Sequence, residues 1–543
     1  MSAFQIYFQL EIISFFNSAL DCVKHENMKQ IMDIGVNMVT YTILSMACMA
    51  IISILSTNVA ANSAYETRKN IFHILMHLPS EEIGQFKTTG LMSRTTRGLY
   101  TEQGFIQILL KRVLLIPFVI IGLAIEISFI DLDFALIFIC IVTVLTVLLI
   151  FKSRQVIDVY FKAKKTYGNI NSLFMKKINE IKNKIRTDHD KESFKESCQD
   201  SYKRNIAYQL EQYYVTPALF LILDGIIVIL LIMMNFGISI SFDSISVVDS
   251  IVIIQFLLYF ITTLTFIPAF MYRLPKAYAT SVRVEEVLVL EDKIDEKLED
   301  HKFSFKKIKL KKSDFKFNPK RFNRKERKEA LQRFWILLSN YHLKVILSLI
   351  LLSISTLCIA YAPKVAGNIV NLFAKHGVSH ASIINNILFL AVLYIVGYIL
   401  QTYSNRIMIF LGEKVAYNLR LQMLYDKLTT SEIFSKDSSG NIFSRMNNDL
   451  MKVRDFITIH VSDIFAQLLS VVFVIILILT TDWRLSLIYI ATLPLYLISF
   501  YYYDIKSQES YENHQNLLGK LMQLLNKSIT NHSIIQNESQ HGC

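Results

Sequence analysis

The sequence predicts an all-α integral membrane protein. Two observations carry that reading. Hydrophobic residues make up 52% of the 543 and charged residues 19%, and the apolar residues fall in runs long enough to cross a bilayer. Basic residues are concentrated in only some of the segments between those runs, as the positive-inside rule requires of a polytopic protein. With 16 Gly and 8 Pro, the chain has too few breakers for a turn-rich β protein or a low-complexity linker. The apolar excess also excludes a disordered chain and an ordinary soluble enzyme.

The runs occur near 4–20, 33–58, 107–130, 133–151, 215–237, 247–272, 343–368, 383–410, 459–480 and 484–503. Each approaches the roughly 20 residues that a helix needs to span hydrocarbon. Without water for the backbone, helices are the form such runs take. The run at 4–20 is the weakest. No basic segment precedes it and no small-residue cleavage site follows it, so it reads as a short first span rather than a signal peptide.

Segment 152–204 carries 14 Lys/Arg, and 302–328 carries 13 against two acids, Asp314 and Glu326. The hops at 131–133 and 239–246 carry none. The first pair therefore reads as cytoplasmic and the second as external. Ten alternating spans place both termini inside. The stretch 302–328 holds most of the net charge of +12. Between spans, such a Phe-interleaved basic segment reads as lying against anionic headgroups rather than as a nucleic-acid patch.

Three inner connections, 59–106, 152–214 and 411–458, are long and polar yet keep helical apolar spacing, as at Ile71, Leu75 and Leu78. Hairpins of that length project roughly 30 Å beyond the membrane. An internal repeat is also visible. Ser93-Arg94 recurs as Ser444-Arg445, and Asp133-Phe134-Ala135-Leu136 pairs with Asp482-Trp483-Arg484-Leu485.

At these residues the chain resembles the transmembrane domains of ATP-binding cassette (ABC) exporters, the multidrug or lipid type with paired half-transporters. The family's first stalk carries a stretch like G-x-L-x-S-R-x-x-N-D. The second copy has Gly440-Asn441-Ile442-Phe443-Ser444-Arg445-Met446-Asn447-Asn448-Asp449, and the first has Gly90-Leu91-Met92-Ser93-Arg94-Thr95-Thr96 followed by Arg97-Gly98. Pro275 to Leu288, with Ala277, Ala279, Ser281 and Arg283, is similar to the family's exit from its sixth span. Trp483, Leu485 and Pro494 stand where the family often has Trp, Leu and Pro.

The resemblance implies a type-1 ABC exporter transmembrane fold. Residues 1–294 form one nearly full copy, 295–330 a basic cytoplasmic linker, and 331–543 a second copy truncated after about four spans, with long cytoplasmic helical extensions. It implies transport of a small molecule, lipid or peptide by alternating access, in the plasma membrane. Ser93, Arg94, Gly440, Ser444, Arg445 and Asp449 would couple the stalks to an ATPase partner, a nucleotide-binding domain or half-transporter subunit carrying ATP and Mg. The chain has no G-x-x-x-x-G-K-[ST] phosphate loop: Gly519-Lys520 is followed by Leu521 and lacks the upstream Gly. No cofactor is expected on this chain, and whether it takes part in an ATP-hydrolysing enzyme depends on that partner. The alternative is a degenerate remnant acting as a non-transporting membrane scaffold, which the short second copy and Arg97-Gly98 favour.

Charges inside spans are costly and usually face the bundle interior. Glu126 and Asp224 are the candidate substrate-pathway residues on that ground, against a bland reading in which neighbours satisfy each carboxylate. His73 and His77 lie four apart but enclose no Glu, so they read as a packed pair rather than a zinc motif. His376 and His380 read as a solvated loop pair. The six cysteines show no CxxC spacing, so neither a disulfide nor a zinc framework is indicated. Tyr501-Tyr502-Tyr503 suits an interfacial belt.

Overall fold

A peptide group in hydrocarbon must find its hydrogen bond within the chain, and the apolar runs accordingly form helices. The structure, a computed structural model, describes residues 1–24, 28–78, 91, 95, 98–182, 189–236, 247–290, 328–329, 332, 335–336, 338–374, 379–429 and 449–530. Within them, nine helical stretches are long and apolar enough to cross a membrane. They fall on nine of the ten expected runs.

The elements in chain order are α1 (Ser2–Lys24), α2 (Met28–His77) and α3 (Leu99–Ile108), then a π-helical turn (Leu109–Val113) leading into α4 (Leu115–Ile130). Next come α5 (Leu132–Lys182), α6 (His189–Phe236) and α7 (Val247–Thr263), and a 3-10 turn (Leu264–Phe266) into α8 (Ile267–Leu288). The C-terminal half has α9 (His342–Ala374), α10 (His380–Thr429) and α11 (Leu450–Asp455). A second π turn (Phe456–His460) then leads to α12 (Val461–Thr481) and α13 (Trp483–Thr530). The weak run 4–20 becomes α1, which is not among the nine. Its Ile6 and Leu10 are buried against α4. Gly122 of α4 makes room for it, since a Cβ there would lie 2.6 Å from Leu10 Cδ1.

Among the described residues, five helices far exceed a membrane thickness. α2, α5, α6, α10 and α13 have 50, 51, 48, 50 and 48 residues. About 20 residues suffice to span, so each continues for roughly 40 Å outside the hydrocarbon at 1.5 Å per residue. The apolar spacing read at Ile71, Leu75 and Leu78 is the buried stripe of one such extension, packed on Leu91, Leu99, Val284 and Val287. The linker 295–330 falls almost entirely outside the described residues.

The two halves of the chain share one apolar core. Leu123, Leu219 and Phe256 from α4, α6 and α7 pack in the same cluster as Ile369 and Leu390 from α9 and α10. The broadest contact between the halves is α6 against α10. Exposed Val36, Val39, Ile43 and Ile54 on α2, and Ile464, Leu468 and Val472 on α12, form faces that lipid tails solvate and water would not.

The turns between α4 and α5 and between α12 and α13 are built alike. Asp131 and Asp482 both leave helical geometry, at φ −158° and −152°. The Oδ1 of Asp131 accepts the backbone N–H groups of Asp133 (2.8 Å) and Phe134 (3.1 Å), and the Oδ1 of Asp482 accepts that of Arg484 (2.8 Å). Both are N-caps. The structural register of the repeat is thus Asp131 with Asp482, two residues from the Asp133 pairing suggested by sequence. The motif Asp-Leu-Asp offered two candidates, and only the first caps a helix.

Both third spans contain a π turn, a rare device that often marks a working part of a helix. The second lies against Gly412 of α10, where a Cβ would meet Thr458 Cγ2 at 2.4 Å and the Arg454 carbonyl at 3.2 Å. Gly412→Val is therefore expected to lower the melting temperature of the protein in detergent, by the roughly 1–3 kcal/mol of overpacking. Gly225→Ala, with nothing within 4 Å, leaves it unchanged or slightly raised.

Candidate functional site at the junction of the two halves

On α10, Glu413 and Arg420 are seven residues apart, nearly two turns, and so share one face. That face also buries Ile409 and Ala416, which makes the two charges conspicuous. Glu413 is 1% exposed and meets Arg454 of α11, itself 9% exposed, with Nη1 to Oε1 at 3.1 Å. Arg454 also donates from Nη2 (2.7 Å) and Nε (3.0 Å) to Oδ1 of Asp455. It is thus held between two carboxylates by the fork geometry that arginine offers.

The N-terminal half reaches into the same cluster. Gln209 Nε2 of α6 donates to Glu413 Oε1 at 2.5 Å. Tyr272 of α8 donates its hydroxyl to Asp455 Oδ2 at 3.2 Å. Four elements, two from each half, therefore meet on one Glu-Arg-Asp group. At 1.5 Å per residue Arg454 lies roughly 40 Å along the helix from Asp482, more than the roughly 30 Å of hydrocarbon. The group therefore sits in the extensions, past the membrane core. A buried pair of this kind adds little net stability, but removing one partner strands a charge.

A second set of polar contacts runs up the same α6–α10 seam. Tyr213 accepts a hydrogen bond from the Asn405 amide. Farther along, Tyr398 donates to Asp224 Oδ2 at 2.5 Å, and Tyr394 stacks on Tyr398 with centroids 6.5 Å apart. Beside them Ser348 and Ser404 each donate to the other's carbonyl, at 3.0 and 2.8 Å. The seam is thus an antiparallel ladder, Gln209–Glu413, Tyr213–Asn405 and Asp224–Tyr398, set in apolar packing.

Of the residues singled out by sequence, Ser93, Arg94, Gly440, Ser444 and Arg445 lie outside the described residues. Asp449 is exposed at the head of α11, paired at 3.8 Å with Lys452. Asp224 is buried on the seam, 7% exposed. Glu126 is half-buried on α4, and no hydrogen bond or ion pair joins it to Asp224. His73 and His77 stack with centroids 4.2 Å apart, and among the described residues no cluster of three metal-ligating side chains occurs. Sequence reasoning missed Glu413, Arg454, Asp455, Tyr272 and Gln209. The available signal was the pair of charges on an apolar helix face at 408–420.

Residues 345–537 match the family model described as the ABC transporter transmembrane region. The chain is 27% identical over 223 residues to ABC transporter B family member 1 of Dictyostelium discoideum, covering 40% of this chain and 24% of that one. It is 27% identical over 206 residues to the multidrug resistance-like ATP-binding protein MdlA of Buchnera aphidicola, covering 37% and 35%. To the ATP-dependent lipid A-core flippase of Syntrophus aciditrophicus it is 24% identical over 132 residues, covering 24% and 22%. The chain spans less than half the length of each of these relatives.

Arg454→Met is expected to destabilise the protein by about 3–5 kcal/mol, the cost of stranding the buried Glu413, and Glu413→Gln by less, because Asp455 still neutralises Arg454. The double substitution recovers part of that loss, which a double-mutant cycle of unfolding in lipid nanodiscs measures. Asp449→Asn, at an exposed pair, shifts stability by no more than about 0.5 kcal/mol.

Proposed function

We propose that this multi-pass membrane protein, whose residues 345–537 match the ABC transporter transmembrane region, is the permease portion of an ATP-driven exporter. Its cargo would be a small molecule, lipid or peptide, moved by alternating access. In this reading residues 1–294 and 331–543 are two transmembrane domains joined by the basic linker 295–330, in the plasma membrane with both termini cytoplasmic. ATP and Mg belong to a separate nucleotide-binding domain or half-transporter subunit.

The observation that carries the reading is the charged junction in the helical extensions. A permease driven from outside the bilayer needs stiff elements that run unbroken from the driven end into the spans. α6 and α10 are such elements, each about 50 residues long. It also needs the elements that move together to be tied. Arg454 ties α11 to α10, while Gln209 and Tyr272 tie α6 and α8 to the same group. A partner shifts the arrangement of the spans only by binding one arrangement more tightly than another. The proposed docking residues are Ser93, Arg94, Gly440, Ser444, Arg445 and Asp449. Asp224, with Tyr394 and Tyr398, is the proposed polar contact on the cargo's route, and Glu126 a second, separate one.

The test is purification of the full chain from its native membrane, followed by reconstitution with whatever ATPase accompanies it. A bound ATPase stimulated by cargo is the expected result. Arg445→Ala should lower that stimulation about tenfold with the complex still assembled, roughly the loss of one charge-assisted contact. Asp224→Asn should change cargo stimulation while leaving the unstimulated rate intact. A clean preparation with no ATPase bound, and none restoring transport, overturns the proposal.

A further inference from the structure

The π turns at Leu109–Val113 and Phe456–His460 differ in what surrounds them. In each, the residue two positions ahead of the turn reaches across to the long second helix of its own half. In the C-terminal half that residue is Arg454, and it is neutralised by Glu413 and Asp455. In the N-terminal half it is Gln107, whose amide donates to Thr57 Oγ1 at 2.8 Å. There the cations, Lys111 and Arg112, lie within the turn itself. Both are half-buried. Lys111 donates to Ser53 Oγ at 2.8 Å, and among the described residues no carboxylate pairs with either.

Depth gives this pair its meaning. Lys111 lies roughly 30 Å along the helix from the Asp131 cap at 1.5 Å per residue, which is the thickness of the hydrocarbon. Lys111 and Arg112 are thus at the opposite membrane boundary. They are also the only basic residues between Leu99 and Ile130. On the hydrocarbon side of them, on the Ser53 face, α2 presents exposed Met46 and Met49, a surface for acyl chains. Two cations without a carboxylate partner among the described residues, a hydroxyl and an amide, beneath an apolar surface at headgroup depth, form the complement of a phosphate ester carrying two tails.

We propose that Lys111, Arg112, Ser53, Thr57 and Gln107 form a binding site for the phosphate headgroup of an anionic phospholipid. Lys111 and Arg112 supply the charge, Ser53 Oγ and the second amide hydrogen of Gln107 supply hydrogen bonds, and Thr57, whose hydroxyl donates to the Ser53 carbonyl at 2.7 Å, holds the Gln107 amide in place. The π turn carries two consecutive cations at one depth, and Lys111 reaches across to α2. The site is separate from the α6–α10 seam and does not depend on the transport reading.

The full chain in detergent is titrated with spin-labelled phosphatidylglycerol and, separately, spin-labelled phosphatidylcholine. Phosphatidylglycerol is expected to bind more tightly. Lys111→Gln with Arg112→Gln weakens it about 25-fold, the factor for losing two basic contacts near an anionic surface, and leaves phosphatidylcholine binding unaltered. The charge-retaining Lys111→Arg with Arg112→Lys keeps most of the preference. Lys203→Gln with Lys452→Gln removes the same charge at exposed positions in the extensions and leaves the preference intact. Unchanged melting in phosphatidylcholine nanodiscs shows that the Gln variant is folded. If it is not, Thr57→Val with Gln107→Leu replaces it and is expected to weaken phosphatidylglycerol alone. Equal binding by the wild type and a folded variant overturns the proposal. So does displacement of phosphatidylglycerol by excess inorganic phosphate, which would make the ligand a free phosphate.

Discussion

The constraint beneath every other feature is that a peptide group has no solvent to bond in hydrocarbon. It turns each apolar run into a helix, and it makes polar side chains seek partners on neighbouring helices. Where the structure departs from straight α-helix, it does so at places that re-bond locally. The Asp131 and Asp482 corners cap the helix that follows. The π turns Leu109–Val113 and Phe456–His460 keep the chain helical while altering its pitch.

The same constraint explains why the α6–α10 seam is polar at intervals rather than throughout. Apolar packing between helices gains little over packing against lipid tails, so directional contacts add most of the pairing specificity. Asp224–Tyr398 and Asn405–Tyr213, 174 and 192 positions apart in sequence, set the register of the two helices. Farther from the membrane, where the surroundings are less apolar, the seam ends in the full charges of Glu413, Arg454 and Asp455. Polarity along the seam thus grows as the cost of burying it falls.

The spans and their extensions were legible in the sequence because they depend on local composition. Hydropathy alone places the nine apolar helices found among the described residues, and spacing at Ile71, Leu75 and Leu78 announces a buried stripe beyond the membrane. What pairs with a buried charge is not local. Nothing near Asp224 points to Tyr398, and Glu413 finds Arg454 only after α10 and α11 fold side by side. The repeat register was ambiguous at Asp131 and Asp133 for a similar reason. Both can accept amide hydrogen bonds, and only the geometry of the corner selects one.

A π turn accommodates one residue more than an α turn, and each residue of a helix advances the direction of its side chain by about 100°. The segments on either side of Leu109–Val113 and of Phe456–His460 are therefore out of angular phase. One rod can show grease to the lipid along its upper part and still aim Arg454 inward along its lower part. The two rods make this rotation at heights about one helical turn apart when measured from their Asp corners. The pseudo-symmetry of the repeat is consequently broken at the very level where the spans give way to the extensions.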